Sequence, residues 1–333
     1  MKGIIALACS VLLLVCGMNG AWAREAQEKQ SMKRLNVLMI GNSFSESVLK
    51  YLPAIVKADG TVSLRLRQAY IGGCTIERHL REFDAALADH EHRPYTTNLM
   101  LKDAPKAGPR RWKANLPEML SDGKWDIVTI QEGSPHCWHP EAYGADAERL
   151  IGIVRRYQPQ AEIVVHQTWA YRCDAPRLKE WGFDRKEMHR RLTVRYDELA
   201  KRHGFRTIPA GDAVELLRQS TPMPYRPPSA EELANLRWPD LPRAAGDPVG
   251  RSFWKKNAQT GRMELGTDYI HLNARGCYLQ ACVWYMFLFD KQAADVKFMP
   301  RNFDGEACRT MIQCAEKAVQ NRRRQCEHPV AGQ

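Results

Sequence analysis

The chain has 333 residues, 44% of them hydrophobic, with 49 Lys and Arg against 38 Asp and Glu for a net charge of +11. The length and the apolar share support a proper core, as one large domain or two small ones. The basic excess argues poorly for nucleic acid: the cations are scattered, clustering only at Arg110-Arg111 and Arg322-Arg323-Arg324, and no nucleic-acid-reading motif occurs. A solvated surface that favours anionic substrates or envelopes fits better.

In chain order, Met1-Lys2 is a positive start, Ile4 to Val15 an apolar run, and Ala21-Trp22-Ala23 an A-x-A cleavage signal, so residues 1–23 read as an export signal. The run is too short for a stable membrane span. Lipid anchoring through Cys16 is a lesser alternative, because Val15 stands where a small residue is wanted. A periplasmic or extracellular protein is expected, with a linker at 24–34, one domain at 35–325 and a tail at 326–333.

Leu35 to Ile40 is a nearly continuous apolar run, as in a strand buried on both faces. It stops at Gly41-Asn42-Ser43 and helix-like sequence follows, which puts Ser43 at the carboxyl edge of a parallel sheet, where ligands bind in open α/β folds. Taken alone, Ser43 is as well explained as a helix cap. Val62 to Tyr70 alternates apolar and basic residues, as an outer strand would, and ends in the glycine turn Ile71-Gly72-Gly73-Cys74-Thr75. Thr96 to Asp122 reads as a polar insertion, mostly loop, with one helix at Leu116–Leu120. Trp125 to Ile130 is the third buried strand and leads into Gln131-Glu132-Gly133-Ser134. Ala161 to Thr168 is the fourth. It contains His166, a core group or a rival base, and is followed by Trp169 and Tyr171, which could floor a sugar site or simply pack.

Lys186 to His203 is an amphipathic helix and Phe205 to Pro209 a fifth strand. Thr221 to Thr267 is long, irregular and proline-rich. Because it runs directly into Asp268, it is expected to border the site. Asp268 and His271 precede a long apolar helix (Asn273 to Phe289), and a D-x-x-H turn can present a histidine together with the carboxylate that orients it. A basic helix, Gly305 to Arg323, closes the chain. Eight cysteines lie outside the export signal, and an exported chain with an even count suggests disulfides. Cys137 and Cys173 follow neighbouring strands and are the expected pair. Cys/His spacing gives no zinc site, since His136-Cys137-Trp138-His139 is too compressed.

Strand–helix alternation with glycine turns predicts a three-layer α/β/α sandwich with a parallel sheet of about five strands. There is no G-x-S-x-G elbow and no glycine-rich nucleotide motif. Gly41-Asn42-Ser43-Phe44 resembles the nucleophile block of the SGNH/GDSL hydrolases, usually written G-D-S-L. Thr267-Asp268-Tyr269-Ile270-His271 through Gly276 resembles their final D-x-x-H block. The resemblance spans Leu35 to Asp290. It is strongest to secreted bacterial members of unknown function that carry variants of GNSFS, IGGC and HQTW.

That resemblance implies the flavodoxin-like SGNH fold and a secreted serine esterase needing no metal or organic cofactor. Ser43 would be the nucleophile, His271 the base and Asp268 its orienting carboxylate. The oxyanion hole would comprise the N–H groups of Ser43 and Gly73, with Gly72 the other choice. The family's third donor, the asparagine of a G-x-N-D block, is missing. Gln131, Ser134 or nothing replaces it. Asn42, Trp169 and Tyr171 are candidate substrate-binding residues. The expected substrate is a small acyl ester, most simply acetyl, on carbohydrate. A lipase or thioesterase of the same fold is the alternative, as is a non-catalytic carbohydrate-binding envelope protein.

Overall fold

The computed structural model describes residues 32–100, 111–220, 224–243, 246–301 and 303–327, so the expected export signal and most of the tail lie outside the described residues. The central strand is β1 (Lys33–Gly41), whose apolar run is buried from Val37 to Ile40. It pairs in parallel with β2 (Val62–Tyr70) on one side and with β5 (Ile127–Ile130) on the other. Beyond β5 lie β6 (Glu162–His166) and β7 (Arg206–Ile208), also parallel. These five make the expected sheet.

The sheet is larger than expected. It has seven strands in the order β4-β3-β2-β1-β5-β6-β7, because β3 (Tyr95–Met100) and β4 (Arg111–Ala114) add an antiparallel edge. Their polar composition made residues 96–122 read as loop. β4 is the exposed edge, which needs no apolar run and whose charge deters pairing with other chains, whereas β3 lies between β4 and β2 and buries the polar Thr97 and Asn98. With β3 beside it, β2 is interior rather than outer. Its basic residues are compensated by partners: Arg65 and Arg67 both bind the Asp122 carboxylate, and Arg65 lies over the Trp125 ring at 4.2 Å.

The helices are α1 (Ser43–Glu46), α2 (Leu52–Asp59), α3 (Ile76–Ala88), α4 (Leu116–Ser121), α5 (Ala145–Tyr157), α6 (Pro176–Glu180), α7 (Arg185–His203), α8 (Ala210–Ser220), α9 (Ala230–Asn235), α10 (Ala274–Phe289) and α11 (Gly305–Glu327). Helix α10 is buried at every position from Gly276 to Phe289, which explains why its sequence is apolar all round. It packs against α2, α8 and α11, while α3, α4 and α5 contact one another. The result is the three-layer α/β/α sandwich.

Residues 224–267 are less irregular than expected. Besides α9 they hold a separate two-stranded hairpin of β8 (Val249–Lys256) and β9 (Met263–Leu272). Asn257 closes its turn by accepting the N–H groups of Gln259 and Thr260 on Oδ1. The many prolines upstream masked this hairpin in the sequence.

The expected Cys137–Cys173 disulfide does not form. Cys137 is buried and its thiol donates to Ser134 O at 3.3 Å, whereas Cys173 is exposed. The other described cysteines are buried thiols, set in apolar surroundings where packing and not cross-linking explains them. Native alkylation followed by peptide mapping should therefore modify Cys173 and spare Cys74, Cys137, Cys277, Cys282, Cys308 and Cys314. Recovery of a Cys137–Cys173 cross-linked peptide from the oxidised protein would contradict this arrangement.

Candidate active site

The parallel strands run in the order β2-β1-β5-β6-β7, so chain direction across the sheet reverses between β1 and β5. Ligand crevices open at the carboxyl ends of strands at such a switch point. Asn42 leaves β1 there. It caps α1, accepting the Phe44 N–H on Oδ1 at 3.0 Å, and its Nδ2 donates to Cys74 O at 2.9 Å. Asn42 therefore does the capping, and Ser43, the first residue of the helix, keeps its hydroxyl for another partner.

That partner comes from the hairpin. In the β8–β9 ladder Val249 opposes Leu272 and Arg251 opposes Asp268, so the single residue Gly250 faces Tyr269, Ile270 and His271. The strand must bulge, and bulges beside active sites re-aim side chains. Here the bulge is closed by Asp268, whose Oδ1 accepts the N–H groups of both Ile270 and His271 at 3.0 Å. Its other oxygen, Oδ2, lies 2.9 Å from His271 Nδ1, and His271 Nε2 lies 2.9 Å from Ser43 Oγ. D-x-x-H was expected as a turn before the helix; it is a bulged strand end, and Asn273 caps the helix separately.

Burial alone would raise the Asp268 pKa. The hydrogen bonds from the His271 ring and from the two backbone N–H groups overcome that and hold it well below the usual carboxylate range. Asp268 is thus ionised at neutral pH and accepts the Nδ1 proton of His271, which leaves Nε2 free to accept from Ser43. The imidazole is 41% exposed and open to an incoming group.

Several neighbours fix this geometry. Trp169 stacks on Phe44 at 4.3 Å with an interplanar angle of 1°, and its Nε1 donates to Ile270 O at 2.9 Å. One indole thus ties the residue after Ser43 to the residue before His271. The Arg172 N–H donates to Tyr269 O. Gly250 has φ +84°, and a Cβ there would sit 2.7 Å from Asp268 O and 2.9 Å from Arg172 Nη1. Gly250 was missed in the sequence because residues 221–267 were taken as loop, and the part Arg172 plays was missed because its partner Tyr269 lies 97 residues further on. The available signal was the alternation in Ser252-Phe253-Trp254-Lys255 opposite Glu264-Leu265-Gly266-Thr267.

Other expected site residues take different places. Trp169 and Tyr171 are both 0% exposed, so neither ring can floor a sugar site. Burial in the Phe44 stack and a Tyr171 Oη–Ser134 Oγ contact at 2.8 Å account for them. That contact also occupies Ser134. Gln131 is buried with its Nε2 donating to Asn42 Oδ1 and its Oε1 accepting from His166 Nδ1, so it does not face the site as a third donor. Asn42 is likewise buried and internally bonded, which removes it from substrate contact. His166 is fully buried, and that burial pushes its pKa down to about 3. It is a neutral spacer between Gln131 and Gln280 and has no contact with Ser43. Gly73 sits at φ +61° in the glycine turn, and among the described residues its N–H and that of Ser43 have no acceptor.

Glu132 sits beside this turn. Its Oε1 accepts the N–H groups of Gly133 and Ile76, yet burial raises its pKa to about 7. A carboxyl whose folded pKa exceeds its unfolded value stabilises the fold fully below the unfolded pKa and loses that contribution as pH rises through the folded one. Stability should accordingly fall between pH 4.5 and about 7, by at most on the order of 3 kcal/mol. Glu132→Gln should flatten this dependence in denaturant titrations. An unchanged slope would remove Glu132 as its source. Gly250→Ala should cost on the order of 2 kcal/mol, because it adds both a strained φ and a clash. An unchanged Tm would show that the bulge relaxes freely.

A family model described as "Domain of unknown function (DUF4886)" matches residues 36–220. No curated protein matches. A DUF4886 family protein from Bacteroides uniformis shares 23% identity at TM-score 0.68, covering 86% of this chain and 95% of that one. An SGNH hydrolase candidate from Slackia heliotrinireducens shares 20% identity at TM-score 0.43, covering 75% and 97%. An acetyl-xylooligosaccharide esterase from Geobacillus shares 10% identity at TM-score 0.40, covering 82% and 100%. The Bacteroides uniformis structure shares the three-layer α/β/α fold, and the chain belongs to the DUF4886 family.

Proposed function

We propose that the protein is an exported serine esterase that removes small acyl groups, most simply acetyl, from carbohydrate. The observation that carries the esterase reading is the unbroken line Ser43 Oγ–His271 Nε2 and His271 Nδ1–Asp268 Oδ2, both 2.9 Å, assembled from two distant parts of the chain. His271 Nε2 takes the Ser43 proton as Oγ attacks the ester carbonyl. The tetrahedral oxyanion is met by the Ser43 and Gly73 N–H groups. His271 then hands the proton to the leaving alcohol. Water, activated by the same nitrogen, releases the acid and restores Ser43. Asp268 orients His271 and offsets the charge the ring acquires.

Residues 1–23 read as an export signal, which would place the enzyme where polysaccharides are met. The adjoining segment is proline-rich and intersperses its exposed apolar side chains with charged ones, unlike the continuous apolar channel a lipase needs. One observation favours a binding protein without catalysis: Gln131 and Ser134 are both engaged internally, so two backbone donors stand without a third.

Hydrolysis of aryl esters decides between these readings. Ser43→Ala and His271→Ala should each lower kcat by roughly 10³-fold or more, and Asp268→Asn by less, with the fold intact by circular dichroism. Wild-type rates should fall steeply from acetyl to butyryl to octanoyl, with acetate released from an acetylated polysaccharide. Activity that survives Ser43→Ala would overturn the esterase assignment to this site, and flat or rising rates toward octanoyl would favour a lipase.

A further inference from the structure

Cations on this protein's surface are commonly paired. Arg149 binds Asp84, Arg190 binds Glu187, Arg202 binds Glu148 and Arg206 binds Glu162. The segment from 224 to 264 departs from that habit. Arg226, Arg243, Arg251, Lys255, Lys256 and Arg262 are all exposed, and among the described residues none lies within salt-bridge distance of a carboxylate. Arg226 and Arg243 line one cleft and Arg251 and Lys255 share one face of the hairpin, so an anion that reaches both members of a pair gains two charge-assisted contacts.

The same segment exposes large apolar side chains. Trp238 is 61% exposed, and Leu233, Leu241, Phe253 and Met263 are exposed as well. A cleft of about 780 Å³ opens among Tyr225, Leu236 and Leu241, with three cations, Arg226, Arg237 and Arg243, against two carboxylates, Glu232 and Asp240, in its wall; Glu232 accepts the Ser229 N–H. Apolar faces interleaved with cations suit a ligand that alternates apolar ring surface with negative charge. Sugar rings bearing carboxylates have that alternation.

The platform is joined to the site. Directly opposed residues of an antiparallel ladder share a face. Arg251 opposes Asp268, Phe253 opposes Gly266 and Lys255 opposes Glu264, so Arg251, Phe253 and Lys255 lie on the face that carries Asp268. Trp254 Nε1 donates to Asp240 O, which ties the cleft segment to the hairpin. Tyr225 Oη donates to Asp174, and the Arg172 guanidinium lies over the Tyr225 and Tyr269 rings at 4.4 and 5.2 Å, which ties it to the bulge.

We propose that residues 224–243 and 246–264 form a binding platform for a carboxylate-bearing polysaccharide, presenting its ester groups to Ser43. Presentation of esters to Ser43 rests on the esterase reading; binding itself is independent of it.

The test is affinity electrophoresis of the Ser43→Ala protein, in which hydrolysis plays no part, through gels containing polygalacturonate or neutral unsubstituted xylan. Polygalacturonate should retard the protein and xylan should not, with the retardation lost at about 0.5 M NaCl as screening shortens the reach of the charges. Arg226→Gln/Arg243→Gln/Arg262→Gln should weaken retardation about tenfold at unchanged Tm, and Trp238→Ala should weaken it separately. Equal retardation by xylan, or retardation indifferent to the triple substitution, would overturn the proposal. Tighter binding of phosphatidylglycerol vesicles or single-stranded DNA, measured by co-sedimentation and filter retention, would overturn it in favour of a membrane or a nucleic acid. Each of these results leaves the aryl-ester assay of wild-type protein untouched, so failure here and failure of the esterase reading are separate outcomes.

Discussion

The site depends on a mismatch of count in one small ladder: a single glycine, Gly250, opposite three residues of β9. A regular antiparallel strand would send Tyr269, Ile270 and His271 to alternate faces and leave Asp268 unable to reach the ring of a residue three positions on. Because the strand bulges, the Asp268 carboxylate can serve two purposes. One oxygen closes the loop on its own backbone, and the other fixes the imidazole. The closure and the alignment of His271 are therefore one interaction, and loss of the carboxylate would disturb both.

The bulge alone would not meet Ser43, which is 228 residues away in sequence. Two bodies of packing bring them together. The Trp169 indole lies flat on Phe44 and bonds Ile270 O, so an apolar contact on one side and a directional one on the other fix a single spacing. Behind α1 runs a buried polar chain. Gln131 bonds Asn42, His166 bonds Gln131, and Gln280 bonds His166, Phe44 O and the Ser47 hydroxyl. Such chains are satisfied link by link, and a missing link leaves a buried group unpaired at a cost of about 1–3 kcal/mol. This accounts for a glutamine at 131: its amide completes the support beneath Asn42 and Ser43.

What was legible in the sequence follows from the same physics. β1, β5 and β6 were readable because strands buried on both faces are nearly continuous apolar runs. Ser43, Asp268 and His271 were readable because two short blocks stand at sharp strand and helix boundaries. The edge strand β4 was missed because exposure imposes no apolar pattern, and β3 because its buried positions include the polar Thr97 and Asn98. Burial of Trp169 and Tyr171 was also hidden: residues just past a strand end can face solvent or pack inward, and only the Phe44 stack and the Ser134 contact decide between them. Gly250 matters through what lies opposite it, which no reading of its own neighbours supplies.

If the His271–Asp268 pair activates Ser43, a fluorophosphonate probe followed by peptide mapping will read that activation without assuming a substrate. A single adduct on Ser43 is expected in the wild-type protein, lost or nearly so in His271→Ala. An adduct on another residue, or Ser43 labelling of equal rate in His271→Ala, would show that the pair does not activate Ser43.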